Sequence, residues 1–192
     1  VTDGDFGDLE FLPMFFSMIG LYATNFLVVM VSLLISVATI SGEIESHTVD
    51  CLITKPIRRW ELILGKWLGF AIIIFLFVLL LPGGVMLIVY LRSGFHLQNI
   101  IPGLSLMFLE GMVVLTVALF GGTRLSTLAN AAMAFMLYGL AFVGGWIEQI
   151  GAALQNETAV NIGITASFLN PSEILWRKAT VIFEPRVVTL GE

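Results

Sequence analysis

One cysteine, Cys51, and two histidines supply all the thiol and imidazole groups that 192 residues contain. A lone cysteine excludes an internal disulfide framework and a multi-cysteine metal site. Charge is scarce as well, at 12% of the chain against roughly 25% in soluble domains, so about half the usual solubilising charge is missing. No Gly-x4-Gly-Lys-Ser/Thr loop occurs, which excludes ATP binding by the usual phosphate cradle. No signal peptide is legible, because Asp3, Asp5, Asp8 and Glu10 make the opening acidic. The chain begins at Val1 and is expected to be a fragment or a processed product. Its net charge of −5 says little about partners, since the charges sit in connections expected on two different sides.

What the chain has instead is apolar: 58% hydrophobic residues and a mean hydropathy of +0.98. These residues fall in runs long enough to span a bilayer, which takes about 20 residues each. The expected fold is all-α: one polytopic transmembrane bundle over residues 1–192, with spans at about 14–40, 62–90, 101–121 and 128–147. Pro13 suits a helix start. Pro82, Gly83 and Gly84 should kink or locally unwind the second span. Residues 148–192 are too interrupted for a further span and read as an extracytoplasmic interfacial segment. Lys and Arg concentrate on the cytoplasmic side of membrane proteins. Lys55, Arg58, Arg59, Lys66 and Arg124 fall on one side and Arg92 on the other, which places the first connection in the cytoplasm. Arg177, Lys178 and Arg186 in the tail pull the other way.

That first connection, "ESHTVDCLITKPIRRWELILGK", is a charged island between apolar runs. Ser46 or Thr48 can cap a short helix, and Pro56 pushes Lys55 out of helical geometry. Val49, Leu52 and Ile53 give the segment an apolar face. An ordinary helix on the membrane surface accounts for this pattern as well as a docking element does. The pattern resembles the signature of type-2 ABC exporter permeases, through Glu43, Glu45, Thr48, Leu52, Ile53, Pro56, Arg59, Glu61, Gly65 and Lys66. His47 stands where that family usually has glycine, which bears on the local geometry of the helix start. The resemblance implies that residues 43–61 form a cytoplasmic coupling helix that docks in a groove of an ATP-binding subunit. The docking residues would be Glu43, Glu45, His47, Thr48, Val49, Leu52, Ile53, Pro56 and Arg59.

A second stretch, "NPSEILWRKA", is similar to the Asn-Pro segment between the fifth and sixth spans of such permeases. Asn170 can cap a helix, Pro171 can open it and Glu173 can complete a capping box. Trp176, Arg177 and Lys178 suit a membrane interface. The resemblance implies a six-span permease of which spans two to five are present. It further implies an assembly of two permease and two ATPase subunits, identical or paralogous, in the cell membrane of a prokaryote. ATP and Mg would then be held by the partner, with no cofactor in this chain, no bond chemistry of its own and no nucleic acid as partner.

Several residues invite chemistry and are weighed against plainer roles. Glu43, His47 and Cys51 are spaced like metal ligands on a helix, but the helix start expected at Ser46 or Thr48 breaks that face, and no metal site is assigned. Gly103–Leu106, "GLSL", resembles the Gly-x-Ser of intramembrane serine proteases, yet both histidines, His47 and His96, lie in connections. Glu110 lies within the third span, where carboxylates are costly and often functional. It could meet substrate, sense protons or pair with a neighbouring helix, and the pairing is favoured. Asn25, Ser32, Ser36 and Thr39 share one face of the first span, which should meet protein or a pathway rather than lipid. Ala118 with Gly122 and Ala141 with Gly145 are small-residue pairs suited to close helix packing. An ion-gradient-driven transporter or channel, needing ion sites at broken helices, is the alternative function; a membrane scaffold is a second. The cargo is not legible.

Overall fold

The computed structural model describes residues 4–45, 59–94, 99–168 and 171–183. Among these the chain forms seven helices and no strand: α1 (Gly4–Glu45), α2 (Arg59–Leu80), α3 (Pro82–Ser93), α4 (Ile100–Gly122), α5 (Thr127–Ala153), α6 (Glu157–Phe168) and α7 (Ser172–Phe183). Four stretches are long and apolar enough to cross a membrane: Phe15–Val37, Ile63–Ser93, Ile100–Gly122 and Thr127–Ala153. The protein is an all-α, multi-pass membrane protein.

α1 does not begin at Pro13 but nine residues earlier, at Gly4. The turns on either side of Pro13 outlast the single backbone bond that proline removes. The second span bends where the Pro82 triplet predicts. Helix α2 ends at Leu80 and α3 restarts at Pro82. Leu81 N–H still donates to Phe77 O at 2.8 Å, and Val85 N–H to Leu81 O at 2.9 Å, so the span is bent and not severed. α3 closes on Gly94 at φ 66°, whose N–H donates to Tyr90 O; this left-handed cap favours glycine.

α4 is the axis of the bundle. Half of its spanning window is buried, against 22% for the α2–α3 span, so α2 and α3 form an outer wall. Their outward side chains, among them Leu68, Ile72, Leu76 and Leu79, are exposed and apolar, as a lipid-facing wall must be. Small residues let the backbones close in where lipid supplies no hydrophobic push. A Cβ on Gly111 of α4 would stand 2.9 Å from Ile74 of α2 and 3.1 Å from Ser32 of α1. On α1, a Cβ at Gly20 would stand 2.7 Å from Val85 of α3. Leu21, Val28, Ile74, Met107 and Leu115 fill the core between these contacts. A second cluster, with Leu33, Val37, Ala118 and Tyr138, seals α1 against α4 and α5.

The segment after α5 folds back on the bundle. Ala159 meets Gly151, Gly163 meets Glu148 and Gly144, and Ala166 meets Gly144. The falling numbers show that α6 runs antiparallel to α5. α7 then turns the other way, from Gly145 of α5, which Glu173 touches, to Gly103 of α4, which packs on the Phe183 ring. α6 and α7 are thus a helical hairpin inserted beside α4 and α5, neither long enough to cross a membrane alone.

Candidate functional site

Two polar groups meet in the middle of the bundle because α1 and α4 pack face to face there. Asn25 of α1 donates from Nδ2 to Glu110 Oε1 of α4 at 3.3 Å. Glu110 has no exposed surface and Asn25 only 4%. The remaining polar residues of the α1 face are turned inward too. Ser32 and Ser36 are fully buried, and Thr39 is partly so. Their hydroxyls stay within α1: Ser32 donates to Val28 O and Thr39 to Ile35 O, each at 2.8 Å, and Ser36 to Ser32 O. The face meets protein, with Ser32 against Gly111. Towards the turn between α4 and α5, Asn130 Nδ2 donates to Ala118 O at 3.0 Å and Trp67 Nε1 to Thr116 Oγ1 at 3.1 Å. Neither bond was legible beforehand, since both depend on which helices are neighbours.

At the other end, Arg177 of α7 grips Glu148 of α5 with both terminal nitrogens, each contact at 2.8 Å. Such a fork fixes orientation as well as charge. Glu173 lies one turn before Arg177, with 3.8 Å between its Oε1 and Arg177 Nε. The capping box expected of Glu173 needs Asn170, which lies outside the described residues; the Glu173 carboxylate lies against α5, with Oε1 2.6 Å from where a Gly145 Cβ would be. Trp176, expected at a lipid–water boundary, is buried and stands edge-on to Tyr22 of α1, ring centroids 4.8 Å apart. The spacing of Ser172, Trp176, Ala179 and Phe183 is the sequence signal for this buried face. Lys178 points outward.

Burial pushes the Glu173 carboxyl up from 4.5 to about 7, with the Glu148 charge adding and Arg177 opposing. A carboxyl raised on folding contributes stability that is fully present below its unfolded value and lost as pH rises through the folded one. The hairpin should therefore weaken between about pH 4.5 and about pH 8, by on the order of 3 kcal/mol. Thermal unfolding in detergent across that window should show the loss in the native chain and little of it in Glu173→Gln. An equal slope in the variant would rule Glu173 out as its source.

Ser105 spends its hydroxyl on Ile101 O at 2.8 Å on an exposed helix face, and His47 and His96 lie outside the described residues. Of the docking residues, Glu43 and Glu45 end α1 and Arg59 opens α2, but their side chains are not described. His47, Thr48, Val49, Leu52, Ile53 and Pro56, and with them Cys51, lie outside the described residues. Where α5 turns into α6, a cavity of about 370 Å³ opens between Gly151, Gln155 and Asn161. Asn156 there caps α6, accepting from Thr158 N and Ala159 N.

Comparison with protein families matches residues 4–181 to the model described as ABC-2 family transporter protein. Neither the curated proteins nor the solved structures compared with the chain give a match. The family match takes in the bundle, the island between α1 and α2, and nearly all of the hairpin. By that span, the chain belongs to the ABC-2 family of transporter proteins, as a membrane permease component.

Proposed function

We propose that this chain is the permease subunit of an ATP-driven exporter, working by alternating access in the cell membrane of a prokaryote. The carrying observation is family membership across residues 4–181 in a sequence with no ATP-binding loop of its own. Energy must then come from a separate ATPase, which holds ATP and Mg. Glu43, Glu45, His47, Thr48, Val49, Leu52, Ile53, Pro56 and Arg59 dock it, between the end of α1 and the start of α2. Two permease subunits and two ATPases form the working unit. Nucleotide shifts the bundle only insofar as it binds one conformation more tightly than the other. The seam of Asn25, Ser32, Ser36 and Glu110 between α1 and α4 is the polar face along which a route can open.

Isolation of the native complex tests the proposal. An ATPase should be recovered with this chain in equal amount, and vanadate or a non-hydrolysable nucleotide should arrest export. Recovery of the chain without any ATPase, with transport that persists on an ion gradient, would favour a secondary transporter instead.

A further inference from the structure

The bond from Asn25 Nδ2 to Glu110 Oε1 leaves two acceptors of the same pair unsatisfied. Among the described residues, neither Glu110 Oε2 nor Asn25 Oδ1 has a protein donor within hydrogen-bonding distance, and both are sealed from solvent. An orphaned buried acceptor is destabilising because it loses water without gaining a partner, and a charged one more so. Two on adjoining planar groups are therefore a large defect unless something lies between them.

Among the described residues, no positively charged group is seen to act on Glu110. From α1 come Asn25 and Ser32, whose hydroxyl goes to Val28 O. α2 turns Ile74 to this level, beside Gly111. The titratable groups that act on Glu110 or feel it are Glu173 from α7 and Tyr138 from α5. The cation nearest in this chain of groups, Arg177, is engaged by Glu148. An ionised Glu110 would add its charge to the field of a second carboxylate, Glu173.

We propose that Glu110 is a proton-binding site, holding one proton on Oε2 that it shares with Asn25 Oδ1 in a cyclic acid–amide pair. A single proton satisfies both orphans at once. Oε2 becomes a donor, Asn25 Oδ1 accepts, and the Nδ2 to Oε1 bond closes the ring. The pair then carries no net charge, which removes the main cost of placing a carboxylate in a bilayer. It also ties α1 to α4 by two hydrogen bonds in place of one.

Infrared spectroscopy of the protein in lipid vesicles at neutral pH reads this directly. Glu173→Gln is used as the background, so that its carboxyl does not contribute. The difference between that protein and its Glu110→Gln derivative should contain the carbonyl band of a protonated carboxylic acid, sensitive to deuterium exchange. Glu110→Gln should keep the thermal midpoint unchanged, because its Nε2 donates to Asn25 Oδ1 as the proton does. Should that derivative fail to fold, Asn25→Ala serves instead: the acid band must move to higher frequency as its carbonyl loses a donor, and an unmoved band overturns the pair. Carboxylate bands alone, the sign of an ionised and hydrated Glu110, would overturn the proposal. So would an acid band that disappears when sodium replaces potassium, which would make a metal cation the occupant.

Discussion

Leu52→Asp is expected to abolish export and to strip the ATPase from the solubilised complex, while the chain still inserts in the membrane. The sequence spacing of Leu52 with Val49 and Ile53 predicts a shared apolar face, so a docked segment would bury Leu52 in the partner. A carboxylate buried there without a partner costs several kcal/mol. At about 1.4 kcal/mol per tenfold in affinity, a loss of roughly 3 kcal/mol weakens docking about a hundredfold. Insertion is spared because the position lies outside all four spans. Quantitative pull-down of the ATPase and vesicle export assays read the two effects separately. Wild-type recovery together with wild-type transport would remove the docking role from residues 43–61.

Gly163→Val should be the most damaging single change outside the island. A Cβ at position 163 would lie 2.5 Å from Glu148 Cβ and 2.7 Å from both Glu148 N and Gly144 O. Two of these three are backbone atoms, which cannot swing aside as a side-chain tip can. α6 must then lift from α5, disturbing Glu148 and the fork it forms with Arg177. Overpacking costs about 1–3 kcal/mol as a rule, and a backbone obstacle puts this case at the upper end. For a chain of this size the thermal midpoint should fall by on the order of 10 °C, and cleavage by protease between α5 and α7 should quicken. A midpoint equal to that of the native chain would mean that α5 and α6 do not pack through Gly163.

The spans were legible because hydropathy over about 20 residues is a signal that needs no partner. Pro82 was legible for the same reason: its missing N–H acts locally, whatever surrounds it. The hairpin was not. α6 mixes small, apolar and polar residues, and Ala159, Gly163 and Ala166 become a packing face only once Gly144, Glu148 and Gly151 are known to lie opposite. Trp176 was assigned by local habit to the membrane interface, and its long-range contact with Tyr22 decides its position instead. In the candidate site, the polar face of α1 could be read from its spacing, and the cost of Glu110 from its depth. That the two meet through Asn25 required knowing which turn of α4 faces which turn of α1.

The hydroxyls of α1 have a mechanical consequence. Thr24, Ser32, Ser36 and Thr39 each donate to a carbonyl of their own helix, so these bonds travel with α1 wherever it goes. A movement of α1 over α4, which it meets at Gly111, would leave every one of those bonds intact. Asn25 with Glu110 is different, since their bond bridges the two helices. Under the proposed alternating access, any sliding of α1 over α4 would have to break or carry that one bond, as a pin must be drawn before a hinge can slide.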